Sequence, residues 1–135
     1  MQTSNWITMP LLPVSWGEVF DKLTILHIKA EKLNDPEKLA NVERERTEIE
    51  KVVGGIARFP VGLSDLIEQL KSINSELWDV EDGKRDCERK QNFDDAFVQL
   101  ARKVYFGNDK RAAIKRQIND LLGSAIVEEK SYQSY

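Results

Sequence analysis

At 135 residues, with 41% hydrophobic and 32% charged residues, the chain has the size of one domain and enough apolar content to bury a core without metals or disulfides. A net charge of −3 argues against the basic face of a general nucleic-acid binder, so no nucleic-acid partner is expected. The single cysteine, Cys87, excludes an internal disulfide and suits a reducing compartment. No apolar run approaches the ~18 residues of a membrane-spanning helix, so no membrane partner is expected either.

Residues 1–14 carry Trp6, Ile7, Met9, Leu11, Leu12 and Val14 around Pro10 and Pro13. The segment lacks a basic start and its apolar run is interrupted, which does not fit a signal peptide, and a cytoplasmic location is expected. It reads as an extended arm, apolar enough to need cover from the body or from a second subunit.

Ser15 followed by Glu18 has capping-box spacing and opens a first helix to about Asn34. Its stripe is Trp16, Val19, Phe20, Leu23, Leu26, Ala30 and Leu33, with Ile25 and Ile28 as a second flank, so this helix is expected to be the most buried. Asp35-Pro36 restarts the chain as N-cap and first helical residue. The second helix points Leu39, Val42, Ile49 and Val53 inward and stops at Gly54-Gly55. Residues 54–62, with two further breakers at Pro60 and Gly62, form a loop.

A third helix, capped by Ser64, runs to about Lys90 with Leu63, Leu66, Leu70, Ile73, Leu77 and Val80 on one face. At about 100° per residue that face continues into Glu81, Lys84, Cys87 and Glu88. It begins as core and ends as charge, and a charge on a core-facing stripe needs a partner, an exit to solvent or a task. Gly83 marks a bend or a close packing point. A short fourth helix carries Phe93, Phe97, Leu100, Ala101 and Val104 and ends at Gly107. Asn108 caps a fifth, with Ile114, Ile118, Leu121 and Leu122 inward, closed by Gly123. The expected architecture is all-α, a five-helix bundle-like single domain over 1–135: arm 1–14, helical body 15–123, irregular tail 124–135.

Arg111 and Lys115 lie within about 40° of the Ile114/Ile118 stripe and are the natural counter-charges for Glu81 and Glu88. If short connections fold the third and fifth helices side by side, Trp78, Glu81, Arg85, Glu88, Arg111 and Lys115 form one polar cluster. Its bland reading is a salt-bridge network that fixes helix register. Its functional reading is a pocket holding an anionic group by charge-assisted bonds, with Trp78 as a stacking wall. His27, the only histidine, reads as a core or boundary residue, and Cys87 as a small buried side chain. No zinc set, phosphate loop or nucleophile–base pair can be assembled.

Glu45-x-x-Glu48 and Glu76-x-x-Asp79 resemble the ExxE…ExxD arrangement of all-α nucleotide pyrophosphohydrolases, which gather carboxylates around magnesium. The helical phase opposes it: Asp79 lies nearly opposite the Leu70/Leu77 stripe, and Glu48 about 120° from the inward centre of its helix.

Several blocks carry a broader likeness: Gly17-Glu18 with Asp21-Lys22-Leu23-Thr24-Ile25-Leu26, Leu77-Trp78-Asp79-Val80-Glu81-Asp82, Asn108-Asp109 with Arg111-Ala112 and Ile114-Lys115-Arg116, and Val127-Glu128-Glu129-Lys130-Ser131-Tyr132. In these the chain resembles a family of short bacterial proteins of unknown function. Gly83 and His27 depart from its pattern. The resemblance implies no chemistry, though the polar residues singled out by helical phase fall inside its blocks. The expected function is a non-enzymatic, self-associating module, a homodimer, or one that binds a protein partner, without cofactor or metal. The alternative is a small binding protein or enzyme for a phosphorylated or carboxylated ligand.

Overall fold

Ser15 caps the first helix as its spacing predicts: its hydroxyl accepts the Glu18 amide at 3.1 Å, and α1 runs Trp16–Lys32. A computed structural model describes residues 9–131 and 134 of the chain. Asp35 accepts the Glu37 amide, Pro36 takes the first helical position, and α2 spans Pro36–Val53 before Gly54 at φ 70. Proline there gives up only an amide that has no intrahelical partner, and glycine adopts the positive φ at no steric cost. The loop that follows contains one 3-10 turn, Ile56–Arg58. Arg58 folds back under it, donating from Nε to the Val53 carbonyl at 2.8 Å with its guanidinium 4.4 Å over the Phe59 ring.

The third helix, α3, spans Leu63–Lys90, and the fourth, α4, spans Asp95–Leu122. Among the described residues there are therefore four α-helices and no strand, not five helices. The expected fourth and fifth helices are one, continuous through Gly107 and Asn108. Gly107 is not a stop but a contact: a Cβ there would come within 2.6 Å of Leu77 Cδ2. Its missing side chain lets α4 approach α3, and that packing outweighs the ~1 kcal/mol by which glycine disfavours a helix interior. Asn108 accordingly caps nothing, and the N-cap of α4 is Asp94, accepting from the Ala96 amide at 3.1 Å. The cap expected at Ser64 is likewise absent: Gly62, at φ 104, precedes α3 and supplies no side-chain bond. Gly83 stays inside α3 as a close packing point facing Leu100.

Gly107 against Leu77 and Gly83 against Leu100 make α3 and α4 an antiparallel hairpin, closed by Gln91 in left-handed geometry at φ 52. Each helix has 28 residues, about 42 Å of length at 1.5 Å per residue. The helix α1 packs on all three others, and α2 packs chiefly on α1. The core gathers Phe20 and Leu23 of α1, Val53 of α2, Leu63, Leu70 and Ile73 of α3 and Ile118 of α4. Trp16, Phe20 and Phe59 lock it with one stacked and two edge-on ring contacts. That core occupies one end of the hairpin. The other end, beyond Val80 on α3 and before Asn108 on α4, runs past it.

The arm departs from expectation in one respect. Of its residues, Met9, Leu11, Leu12 and Val14 are exposed, so the described part is not covered by its own body; Trp6 and Ile7 lie outside the described residues, as does Tyr132 of the tail. The tail does return along α4: Glu128 reaches Lys115, Glu129 reaches Arg116, and Lys130 pairs with Asp109. Among the described residues, no helix is long and apolar enough to cross a membrane.

Candidate functional site

Gly17, Asp21, Thr24 and Ile28 recur every three or four residues on α1 and all four are buried. They form the face that α3 and α4 close over. Asp21, only 1% exposed, is its charged centre. A buried carboxylate persists only where its lone pairs are used, and here they are. Arg111 of α4 grips it by two bonds, Nε to Oδ1 at 2.9 Å and Nη2 to Oδ2. Asn74 of α3 donates from Nδ2 to Asp21 Oδ1 at 2.9 Å and to Thr24 Oγ1 at 3.0 Å. Thr24 in turn donates to the Asp21 carbonyl at 2.8 Å.

One turn along α4, Lys115 donates to Glu18 Oε2 at 2.7 Å and Glu128 Oε1 at 3.0 Å, with Asp21 Oδ2 3.9 Å away. A further turn on, Asn119 accepts the Gly17 amide at 2.7 Å, and Ser124 accepts that of Trp16 at 3.2 Å. The free amides that begin α1 are thus capped by the end of α4. Gly17 is obligatory there, since a Cβ would lie 2.6 Å from the Lys115 carbonyl oxygen.

The electrostatics follow from this pairing. The Asp21 hydrogen bond holds the Arg111 guanidinium above its ordinary pKa, against the opposing effect of burial. For Lys115, desolvation is the largest single effect and pulls the ammonium down. Hydrogen bonds to Glu18 and Glu128, with the charges of Asp21 and Glu18, outweigh it and leave the pKa raised.

Of the six residues expected to cluster, Trp78, Glu81, Arg85 and Arg111 line one depression of about 400 Å³ between α3 and α4, floored by Ile25, Leu77 and Val104. Lys115 lies instead on the neighbouring, larger depression of about 1060 Å³ beside the tail, with Arg111 on the border of both. Glu88 lines neither and is exposed. The expected pairing of Arg111 with Glu81 or Glu88 is corrected: its partner is Asp21. Register is the reason. With Leu77 opposite Gly107, Arg111 stands level with Asn74, and Glu81 is about seven residues, roughly 10 Å, further along α3. Glu81 is met by Lys84 at 3.5 Å on its own helix. Arg85 is exposed and has no ion pair among the described residues.

The four acids of the pyrophosphohydrolase pattern do not converge. Glu45 approaches Lys22, Glu48 pairs with Lys51, Asp79 faces Lys32 at 3.8 Å, and Glu76 is exposed. Among the described residues no three His, Cys, Asp or Glu side chains are grouped to hold a metal ion. His27 is a boundary residue 3.7 Å from Glu50, and Cys87 is half-buried.

A family described as "Family of unknown function (DUF6165)" matches residues 11–135. The chain belongs to that family. Within it, every residue of the Asp21 network and of both depressions lies in the matched span. No curated protein and no solved structure matches the chain, so the DUF6165 fold must be read for function from its own geometry.

Proposed function

We propose that this DUF6165 protein is a non-enzymatic helical module that self-associates as a homodimer. One observation carries the reading. Met9, Leu11, Leu12 and Val14 on the arm and Phe93 and Val98 at the overhanging end of the hairpin are exposed apolar side chains. Cover for such side chains is what a two-fold interface supplies, a standard one removing about 800 Å² from each partner.

The polar seam supports a structural role rather than ligand chemistry. Arg111 and Lys115, the side chains that an anionic ligand needs, already hold Asp21, Glu18 and Glu128. A phosphorylated or carboxylated ligand taking the Nε/Nη2 edge of Arg111 would have to displace a carboxylate that has only 1% of its surface in solvent. The network fastens α1 to the hairpin and leaves the overhang as the working surface.

Light scattering across a dilution series tests the proposal. Twice the 15.5 kDa chain mass, falling toward the monomer only on dilution, is expected. A monomer at high micromolar concentration overturns it. A panel of nucleotides, sugar phosphates and divalent cations is expected to leave the melting temperature unchanged; a saturable rise with one of them would revive the ligand reading.

A further inference from the structure

The depression around Trp78 and the arm have matching chemistry. The arm reads Met9-Pro10-Leu11-Leu12-Pro13-Val14, an uncharged Pro-x-x-Pro segment. Each proline fixes its own φ near −65° and biases the residue before it toward extended geometry. Such a segment favours the polyproline helix, which has no internal hydrogen bonds and leaves its carbonyls in need of donors. Leu11 and Leu12 are 88% and 79% exposed, and none of the described arm residues, 9–14, lines the depression.

The depression offers what that segment lacks. Ile25, Leu77 and Val104 give an apolar floor, and the half-buried Trp78 gives an aromatic wall. Aromatic walls beside side-chain donors are how proline-rich segments are commonly held. Three donors stand at the rim. Arg85 and Asn108 are exposed, and Arg111 binds Asp21 through Nε and one hydrogen of Nη2, which leaves both Nη1 hydrogens and the second on Nη2 as donors. The buried carboxylate thus fixes the plane of the guanidinium before any partner arrives.

We infer that the α3–α4 depression around Trp78 receives the Pro10–Pro13 arm of a second copy of the chain. This rests on the homodimer reading and specifies its contact. Two such contacts related by a two-fold axis are reciprocal: each chain gives one arm and one groove. The arrangement covers the most exposed leucines of the chain and the unfilled apolar floor at once.

Cross-linking between differently marked chains tests it. One variant carries Leu12→Cys and the other Asn108→Cys, both on Cys87→Ser, and the two are mixed under mild oxidation. A mixed disulfide at twice the chain mass is expected, because a disulfide needs Cα atoms within about 7 Å. In the otherwise unmodified chain, Leu11→Ser with Leu12→Ser is expected to weaken dimerisation at least about a hundredfold, from the burial lost on four leucines per dimer. Both residues are exposed within their own chain, so its fold is expected to stand. A dimer that forms without the mixed disulfide and tolerates the serine substitutions overturns the arm–groove contact while leaving self-association intact. A disulfide formed within one chain carrying both cysteines, at monomer mass, assigns the groove to the chain's own arm and likewise overturns it. A monomeric unmodified protein sinks both readings.

Discussion

The two ends of the α3–α4 hairpin are built alike and used differently. At the core end, Leu63, Leu70, Ile73 and Ile118 bury against α1, and the polar side chains that point inward each meet a partner. At the overhanging end, α3 and α4 have mainly each other: Gly83 on Leu100, Phe93 edge-on to Phe97. The charges there lie in local pairs such as Asp86 with Lys90 and Glu81 with Lys84. Exposed pairs of this kind are worth roughly 0–1 kcal/mol, whereas a bidentate grip on a buried carboxylate decides how helices sit. The same residue types therefore do different work. At the core end charge sets register, and at the overhang it lies in local pairs along one helix.

Removing the keystone of the core end has the largest expected effect. Asp21→Ala strips Arg111 and Asn74 of their shared acceptor and leaves a half-buried guanidinium unpaired. Breaking a buried pair from one side costs about 3–5 kcal/mol, to be read from urea unfolding. Glu81→Ala in the overhang is expected to stay within about 0.5 kcal/mol of the unmodified protein, as surface changes do. Equal effects would erase the distinction between the two ends.

The glycines grade the same comparison. A Cβ at Gly17 meets a backbone carbonyl at 2.6 Å, one at Gly107 meets a leucine methyl at 2.6 Å, and one at Gly83 meets a leucine methyl at 3.1 Å. Overpacking costs typically about 1–3 kcal/mol, and alanine recovers up to ~1 kcal/mol of helix propensity. The expected order of destabilisation by alanine is Gly17, then Gly107, then Gly83, with the last near neutral. Urea midpoints of the three variants check the order, and a severe effect at Gly83 would mean that the overhang is packed as tightly as the core.

Lys115 provides the smallest and most specific effect. Its folded pKa is raised, so its contribution to stability is complete below the unfolded value near 10.4 and is lost as pH rises through the folded value. The stability difference between the unmodified protein and Lys115→Gln is expected to be constant from neutral pH to about pH 10 and to shrink above it. Lys115→Arg, which stays protonated there, is expected to hold its stability further into alkali. Unfolding free energies measured from pH 7 to 11.5 check both.

Much of the fold is legible in single residues: Ser15, Asp35-Pro36 and Gly54 place α1 and α2 almost to the residue, because caps are local chemistry. Gly107 misleads for the same reason. A glycine after an apolar stripe looks like a stop, and only the tertiary approach of Leu77 shows why it sits in mid-helix. In the site, the inward phase of Arg111 and Lys115 was readable and their partner was not. Pairing depends on how far two helices slide past each other, and no wheel records that. The missed signal lies on α1, where Gly17, Asp21 and Thr24 keep helical spacing as a second, small and polar stripe that ends on Ile28. A helix with two such faces is wrapped on both, and its acid is the one that needs a cation.

The central claim is that the overhang is the surface on which two chains meet, and amide hydrogen exchange at two protein concentrations tests it most directly. Between a dilute sample and one at high micromolar concentration, amides in residues 77–108 are expected to slow with concentration. Those of Phe20, Leu70 and Ile118 in the core are expected to exceed them in protection at the lower concentration. Exchange that is independent of concentration throughout residues 77–108 would contradict the account.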